Sequence, residues 1–332
     1  MNMEYTSDDA GANIPQWDAA AWRAAFADAK RKARYVSLPI LRLQVYRSTL
    51  DIVTAGKYRL PGGEVIVLDL EPDIAKKTMF YSDEILQDVP HGQYRAQICA
   101  VNDDCLAYAA RLSEVEDGVC VLNMANPVNP GGGVMRGSGA QEEYLFRCSD
   151  YFRSLYQYVL YAPMYGVKRS PQSYPLDRNY GGVFSPNVTV FRNTEETGYA
   201  LLEKPWKVNM IAVAAISDPD LETVGGEERI AEYLVPCAKN KLRTIFRIAA
   251  DNGQKTLVLG AIGCGAFCNP PRHVARLFRE ILDEKEFAGV FRRVLFVIKE
   301  DHNSPMGGNF TPFADVFGSI DKNARIEPVE RG

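Results

Sequence analysis

The chain has 332 residues, 46% of them hydrophobic and 24% charged, with a formal charge of −4 and seven cysteines. That length suffices for one large core, or a core with an added N-terminal unit, and no stretch approaches the roughly 18 consecutive apolar residues of a membrane span. Mild acidity excludes capture of nucleic acid by bulk field, while an odd cysteine count argues against a disulfide framework and for a reducing, cytoplasmic setting.

Residues 1 to about 16 are acidic and lack an apolar signal core, so they read as a mobile leader rather than a secretion signal. Trp17 to Tyr35 carries Trp22, Ala25, Phe26, Ala29 and Ala33 at helical spacing, with basic residues away from that face, which predicts an amphipathic helix. Two strands are expected around the Pro61-Gly62-Gly63 turn signal, and a short one at Thr78–Tyr81. Ala96–Val101 reads as a strand. It leads through Asn102-Asp103-Asp104, the residue types that cap helices, into a helix over Cys105–Leu112.

Val119–Met124 is a short apolar run, as expected of a buried strand, and Asn126-Pro127, Asn129-Pro130 and Gly131-Gly132-Gly133 follow it. A helix is predicted from Gln141 to Tyr158, then an irregular Tyr/Pro/Gly segment, then strands over Val183–Arg192 and Val208–Ile216. Gly226–Asn252 reads as helix, with Pro236 expected to kink or divide it. A strand at Thr256–Ile262 runs into a second glycine loop, Gly263-Cys264-Gly265; a helix over Pro271–Glu286 and a strand over Val290–Lys299 complete the pattern.

Alternating strands and helices predict an α/β fold, a mixed sheet with helices on both faces. The division expected is an N-terminal extension over 1–95 packed on a core over 96–318, with a tail over 319–332. Ligands of such sheets sit beyond the carboxyl ends of the strands, where both glycine loops emerge. A strand, a bare-backbone loop and a helix start make an anion site, because side-chain-free peptide lets a ligand approach and unpaired N–H groups favour negative charge. Glu142 and Glu143 at that mouth are anomalous there, since carboxylates repel an anion. They point to chemistry on a group attached to the phosphates.

Triple glycine, seven further residues, then Gln141-Glu142-Glu143 resembles the mark of the bacterial-type poly(ADP-ribose) glycohydrolases, which are built on a macrodomain. The likeness extends to VLNMANPVNP before the glycines, to FSPNVTVFRN at 184–193 and to LGAIGCGAFCNPPRHVARLF at 259–278. The resemblance implies a macrodomain-like three-layer α/β/α fold and cleavage of ribose–ribose O-glycosidic bonds to release ADP-ribose. By that likeness Glu143 is the catalytic acid and Glu142 the carboxylate that orients ribose hydroxyls. Gly131, Gly132 and Gly133 wrap the diphosphate and distal ribose, and Asn129 bonds a ribose hydroxyl. Gly263, Cys264, Gly265 and Ala266 form the second phosphate loop, and Phe267 stacks near the adenosine end. Asn126, Gln141 and Asp104 complete the binding set.

The residues support a reagent-and-clamp division on their own. Consecutive helical residues point about 100° apart, so Glu142 and Glu143 cannot both face one oxygen. With a single reagent carboxyl instead of the usual flanking pair, the same group must serve first as acid and then as base. No metal and no cofactor is called for: Cys264 and Cys268 have no accompanying Cys or His pair, and the three histidines are isolated. Expected partners are poly(ADP-ribose) or ADP-ribosylated protein as substrate and ADP-ribose as product, with nucleic acid only if it carries ADP-ribose, no membrane, and a monomeric chain. Two alternatives stand beside the polymer-cleaving enzyme: a hydrolase of mono-ADP-ribosylated protein or nucleic acid, and a module that binds ADP-ribose without cutting it. The second leaves the Gln-Glu-Glu unexplained. A dinucleotide oxidoreductase fails because neither loop is a GxGxxG opening a βαβ unit. Cys268, where the family commonly has glycine, and Arg136, in a loop where small residues are usual, depart from the pattern.

Overall fold

A computed structural model describes residues 14–85, 92–300, 304, 307–327 and 329. Most of the leader lies outside the described residues, as does part of the tail. The elements are α1 (Ala19–Arg31), α2 (Ser37–Ala55), β1 (Lys57–Arg59), β2 (Val65–Val67), α3 (Ile74–Lys77), β3 (Met79–Tyr81), β4 (Gln97–Val101), α4 (Cys105–Ser113) and β5 (Val119–Met124). They continue with α5 (Gln141–Cys148), α6 (Phe152–Leu155), β6 (Gly182–Arg192), β7 (Leu201–Val213), β8 (Leu221–Val224) and β9 (Glu227–Ile230). The last are α7 (Val235–Asp251), β10 (Thr256–Leu259), α8 (Pro271–Leu282), β11 (Arg293–Val297) and α9 (Phe310–Phe317).

Seven strands form the central sheet in the order β3-β6-β7-β5-β10-β11-β4. β7, β5, β10, β11 and β4 are mutually parallel, and β6 and β3 join antiparallel at one side. The period-two alternation of strands divides the core in two. Val119, Val121, Val258 and Leu295 face one cluster, with α1, α2, α4 and α5; Cys120, Leu122, Leu257, Leu259 and Phe296 face the other, with α7, α8 and α9. This is the mixed α/β sandwich expected, with parallel strands buried on both faces. The residues before β4 share the first cluster through Trp22, Phe26, Val45 and Tyr46, and β3 is an edge strand of the central sheet.

Three sequence expectations need correction. The helix predicted over 141–158 stops at Cys148, because buried Asp150 is strapped to β6: its Oδ1 accepts the Thr189 N–H at 2.7 Å, and its own N–H donates to Thr189 O at 3.1 Å. The helix predicted from Gly226 begins at Val235. Gly225 (φ +62°) and Gly226 (φ +83°) instead make the two-residue turn of the β8–β9 hairpin, a conformation that suits glycine. Pro236 therefore lies in the first turn of α7, where no N–H is needed, and starts the helix rather than dividing it.

Candidate active site

The parallel strands β5, β7 and β10 deliver their following loops to one edge of the sheet. At the start of β10's loop, Gly260 packs on Met124 at the end of β5: a Cβ there would lie 3.2 Å from the Met124 sulfur. The two glycine loops therefore leave the sheet side by side.

The first loop closes on the helix that follows it. The Gly133 N–H donates to Glu143 Oε1 at 2.7 Å, the Gly131 N–H to Glu142 Oε1 at 3.0 Å and the Asn126 N–H to Glu142 Oε2 at 2.8 Å. Asn123, a polar residue in an otherwise apolar strand, adds its Nδ2 to Glu142 Oε1 at 3.2 Å. Asn126 Oδ1 accepts the Val128 and Asn129 N–H groups, and Gln141 spends its amide on β5, accepting Met124 N–H at 3.0 Å and donating to Leu122 O at 2.7 Å. Asn129 is exposed, with no side-chain partner among the described residues.

Only glycine fits the middle of this loop. Gly132 has φ +53°, and a Cβ on it would sit 2.5 Å from Glu143 Oε1; one on Gly131 (φ +80°) would meet the Phe146 ring at 2.8 Å. Farther on, a Cβ on Gly137 would lie 1.9 Å from Pro39 O, so α2 backs the loop. A buried polar network completes the support. Arg147 donates to Ser138 O at 2.7 Å and to the Tyr199 hydroxyl at 2.9 Å; that hydroxyl donates to Glu195, which also accepts from Arg42. Thr49 on α2 donates to Arg147 O at 2.6 Å.

Both carboxyls are buried, Glu142 at 3% exposure and Glu143 at 6%. Burial pushes Glu142 up to about 8, helped by the Glu143 charge and opposed by the Asn126, Gly131 and Asn123 donors. Glu143 differs in one respect: its Oε2 is buried without a hydrogen-bond partner among the described residues.

The second loop is fastened by one amide. Asn269, 4% exposed, donates through Nδ2 to Ile216 O at 2.7 Å, Phe267 O at 3.0 Å and Gly263 O at 3.2 Å, which ties β10's loop to the loop after β7. Its N–H also donates to Gly263 O. The N–H groups of Gly263, Gly265, Ala266 and Phe267 meet no protein acceptor among the described residues. Cys264 is buried, and burial raises its thiol. Phe267 is half-buried, and Cys268 adopts φ +56°, a glycine-like conformation.

Asp104 caps α4, accepting the Leu106 and Ala107 N–H groups, and takes the Tyr144 hydroxyl at 2.7 Å; burial raises its carboxyl. The sequence reading missed Asn123, Asn269 and the Arg147 network. Asn123 carried a signal, since an amide in a strand buried on both faces needs a partner; nothing local to Arg147 marks its network. Among the described residues no three His, Cys, Asp or Glu side chains gather to hold a metal, and no helix is long and apolar enough to cross a membrane.

The family model for the catalytic domain of microbial-type PARG matches residues 47–193. Among solved structures, the chain is similar to the poly(ADP-ribose) glycohydrolase of Thermomonospora curvata bound to the inhibitor ADP-HPD, at 30% identity and a TM-score of 0.65, covering 82% of this chain and 98% of that one. It is also similar to the enzyme of Deinococcus radiodurans in complex with ADP-ribose, at 28% identity and a TM-score of 0.59, covering 76% and 98%. No curated protein matches.

Proposed function

Because this chain belongs to the microbial-type poly(ADP-ribose) glycohydrolases, we propose that it hydrolyses the ribose–ribose O-glycosidic bonds of poly(ADP-ribose), with Glu143 as general acid and then general base. The observation that carries the role of Glu143 is its divided carboxyl. Oε1 is fixed by the Gly133 N–H, and Oε2, buried and without a partner among the described residues, is the oxygen left to carry a proton to substrate. A buried polar atom left bare costs about 1–3 kcal/mol, which a bound hydroxyl or water would recover.

The steps balance on that one group. Protonated Glu143 gives its proton to the bridging oxygen as the bond to the anomeric carbon breaks, leaving an oxocarbenium-like ribose and a free hydroxyl on the departing unit. The carboxylate then takes a proton from water as that water's oxygen bonds the anomeric carbon, which regenerates the acid. Glu142 serves as the brace: its two oxygens gather three donors from β5 and the first loop and hold Gly131 and Asn126 in place.

The diphosphate belongs chiefly to the second loop. The N–H groups of Gly131, Gly132 and Gly133 are already bonded within the protein, whereas those of Gly263, Gly265, Ala266 and Phe267 are open to an anion. Asn129 is free to bond a ribose hydroxyl, and Phe267 to stack near the adenosine. The scheme needs no metal or cofactor, because the acid supplies the proton and bound phosphates help to stabilise the cationic ribose. Seven free cysteines support a reducing, cytoplasmic location. We further propose that the protein acts as a monomer. Incubation with polymer, mono-ADP-ribosylated protein and ADP-ribosylated DNA, followed by assay of free ADP-ribose, tests the reading. Polymer should be consumed fastest, and release from the other two alone would replace it.

A further inference from the structure

The first loop does not end at Gly133. It continues as a tight turn over Val134–Arg136, in which Val134 is buried while Met135 is 50% exposed and Arg136 is exposed. This turn is rigidly placed: the Arg136 N–H donates to Gly133 O at 2.8 Å, and Gly137 is wedged against the Pro39 backbone. The Tyr165 hydroxyl donates to Met135 Sδ at 3.3 Å, and the Tyr165 ring packs edge-on to Tyr156 at 4.7 Å. Beside it Met164 is 83% exposed. The Arg136 guanidinium has no ion pair or hydrogen bond among the described residues, although the chain as a whole is acidic. An aromatic–thioether surface and an unpaired cation thus adjoin the residue that holds Glu143.

The two faces of the sheet say which side of the scissile bond this is. Val134 roots the turn in the first core cluster, whereas Ile262 and Cys264 root the second loop in the cluster on the opposite face. With the terminal ADP-ribose lying toward the second loop, the unit whose bridging oxygen Glu143 protonates departs over the first face. We infer that Met135, Arg136 and Tyr165 form a leaving-side subsite for the next ADP-ribosyl unit of the polymer, the guanidinium pairing with its diphosphate and the Met135–Tyr165 surface carrying its adenine. The inference rests on the hydrolase reading above and deepens it: the protein is built for polymer with at least two units bound rather than for a single ADP-ribose on an arbitrary acceptor.

The test compares kcat/KM for poly(ADP-ribose) with kcat/KM for an ADP-ribose whose anomeric carbon carries a small neutral phenol. The Arg136→Ala variant should lower the polymer-to-phenol ratio about tenfold, and Arg136→Lys should restore part of it. The polymer rate of the variant should also depend less on salt than that of the wild type. Unchanged affinity for ADP-ribose, measured by calorimetry, confirms that the variant is folded with its second loop intact. A ratio that stays constant, because neither rate changes or because both fall together, overturns the subsite. If the wild type releases nothing from polymer, the hydrolase reading itself fails and the subsite with it.

Discussion

The two glycine loops leave adjacent parallel strands and both depend on bare peptide, yet they are fastened by opposite chemistry. Acceptors hold the first: Glu142 and Glu143 take up its N–H groups, so little of its donor capacity is left for a ligand. A donor holds the second: the Asn269 amide takes up carbonyls, which leaves a run of N–H groups open. This difference resolves the conflict of two carboxylates beside a phosphate cradle. Under the proposed hydrolysis, acid chemistry falls to Glu143 at the first loop and anion binding to the open N–H groups of the neighbouring strand's loop.

Variants aimed at one loop should therefore separate rate from affinity. The largest effect expected is from Gly132→Ala, whose new methyl would have to displace Glu143 Oε1 from a 2.5 Å approach and would also strain a left-handed residue. The expected loss in kcat is about 10²-fold, with a smaller change in ADP-ribose affinity. Steady-state kinetics with calorimetry checks this, and a pure affinity defect would break the division. On the other loop, Asn269→Ala removes three amide contacts and strands the Ile216 carbonyl, whereas Gly263 O keeps the Asn269 N–H and Phe267 O keeps the Asp218 N–H. It should weaken ADP-ribose binding about tenfold and lower stability by about 1–3 kcal/mol, with a smaller effect on kcat at saturation. Loss of kcat alone would contradict it.

The brace sharpens the comparison through pH. Burial lifts Glu142 from an ordinary 4.5 to about 8, so the native state holds that proton more tightly than the unfolded chain. Its contribution to stability is full below the unfolded value and is lost as pH rises through the folded one. Urea unfolding between about pH 5 and 9 should show wild-type stability falling relative to Glu142→Gln, which cannot titrate. Parallel curves would mean that Glu142 is not buried as described.

Much of this was legible in the chain. Val119–Met124, its glycine loop and the Gln-Glu-Glu helix start declare themselves by period and punctuation, and the second loop follows by the same logic. The longest helix, α2, did not. Its buried stripe runs through Arg42, Val45, Tyr46, Thr49, Ile52 and Val53, so polar residues interrupt the hydrophobic period, and those residues are the ones that support the first loop. The break after Cys148 was hidden too, because a capped helix and a strapped one share a sequence until the partner strand is known. Likewise, nothing local marks Asn269 as a clasp. Its three acceptors come from two different loops, brought together only by the fold.

The assignment of Glu143 is tested most directly by Glu143→Gln, whose amide oxygen can still accept the Gly133 N–H and keep the loop in place. Polymer hydrolysis should fall by about 10³-fold while calorimetric affinity for ADP-ribose stays within about threefold of wild type. A variant that cleaves polymer at the wild-type rate, or one that loses ADP-ribose binding together with activity, would contradict the division of labour between the two loops.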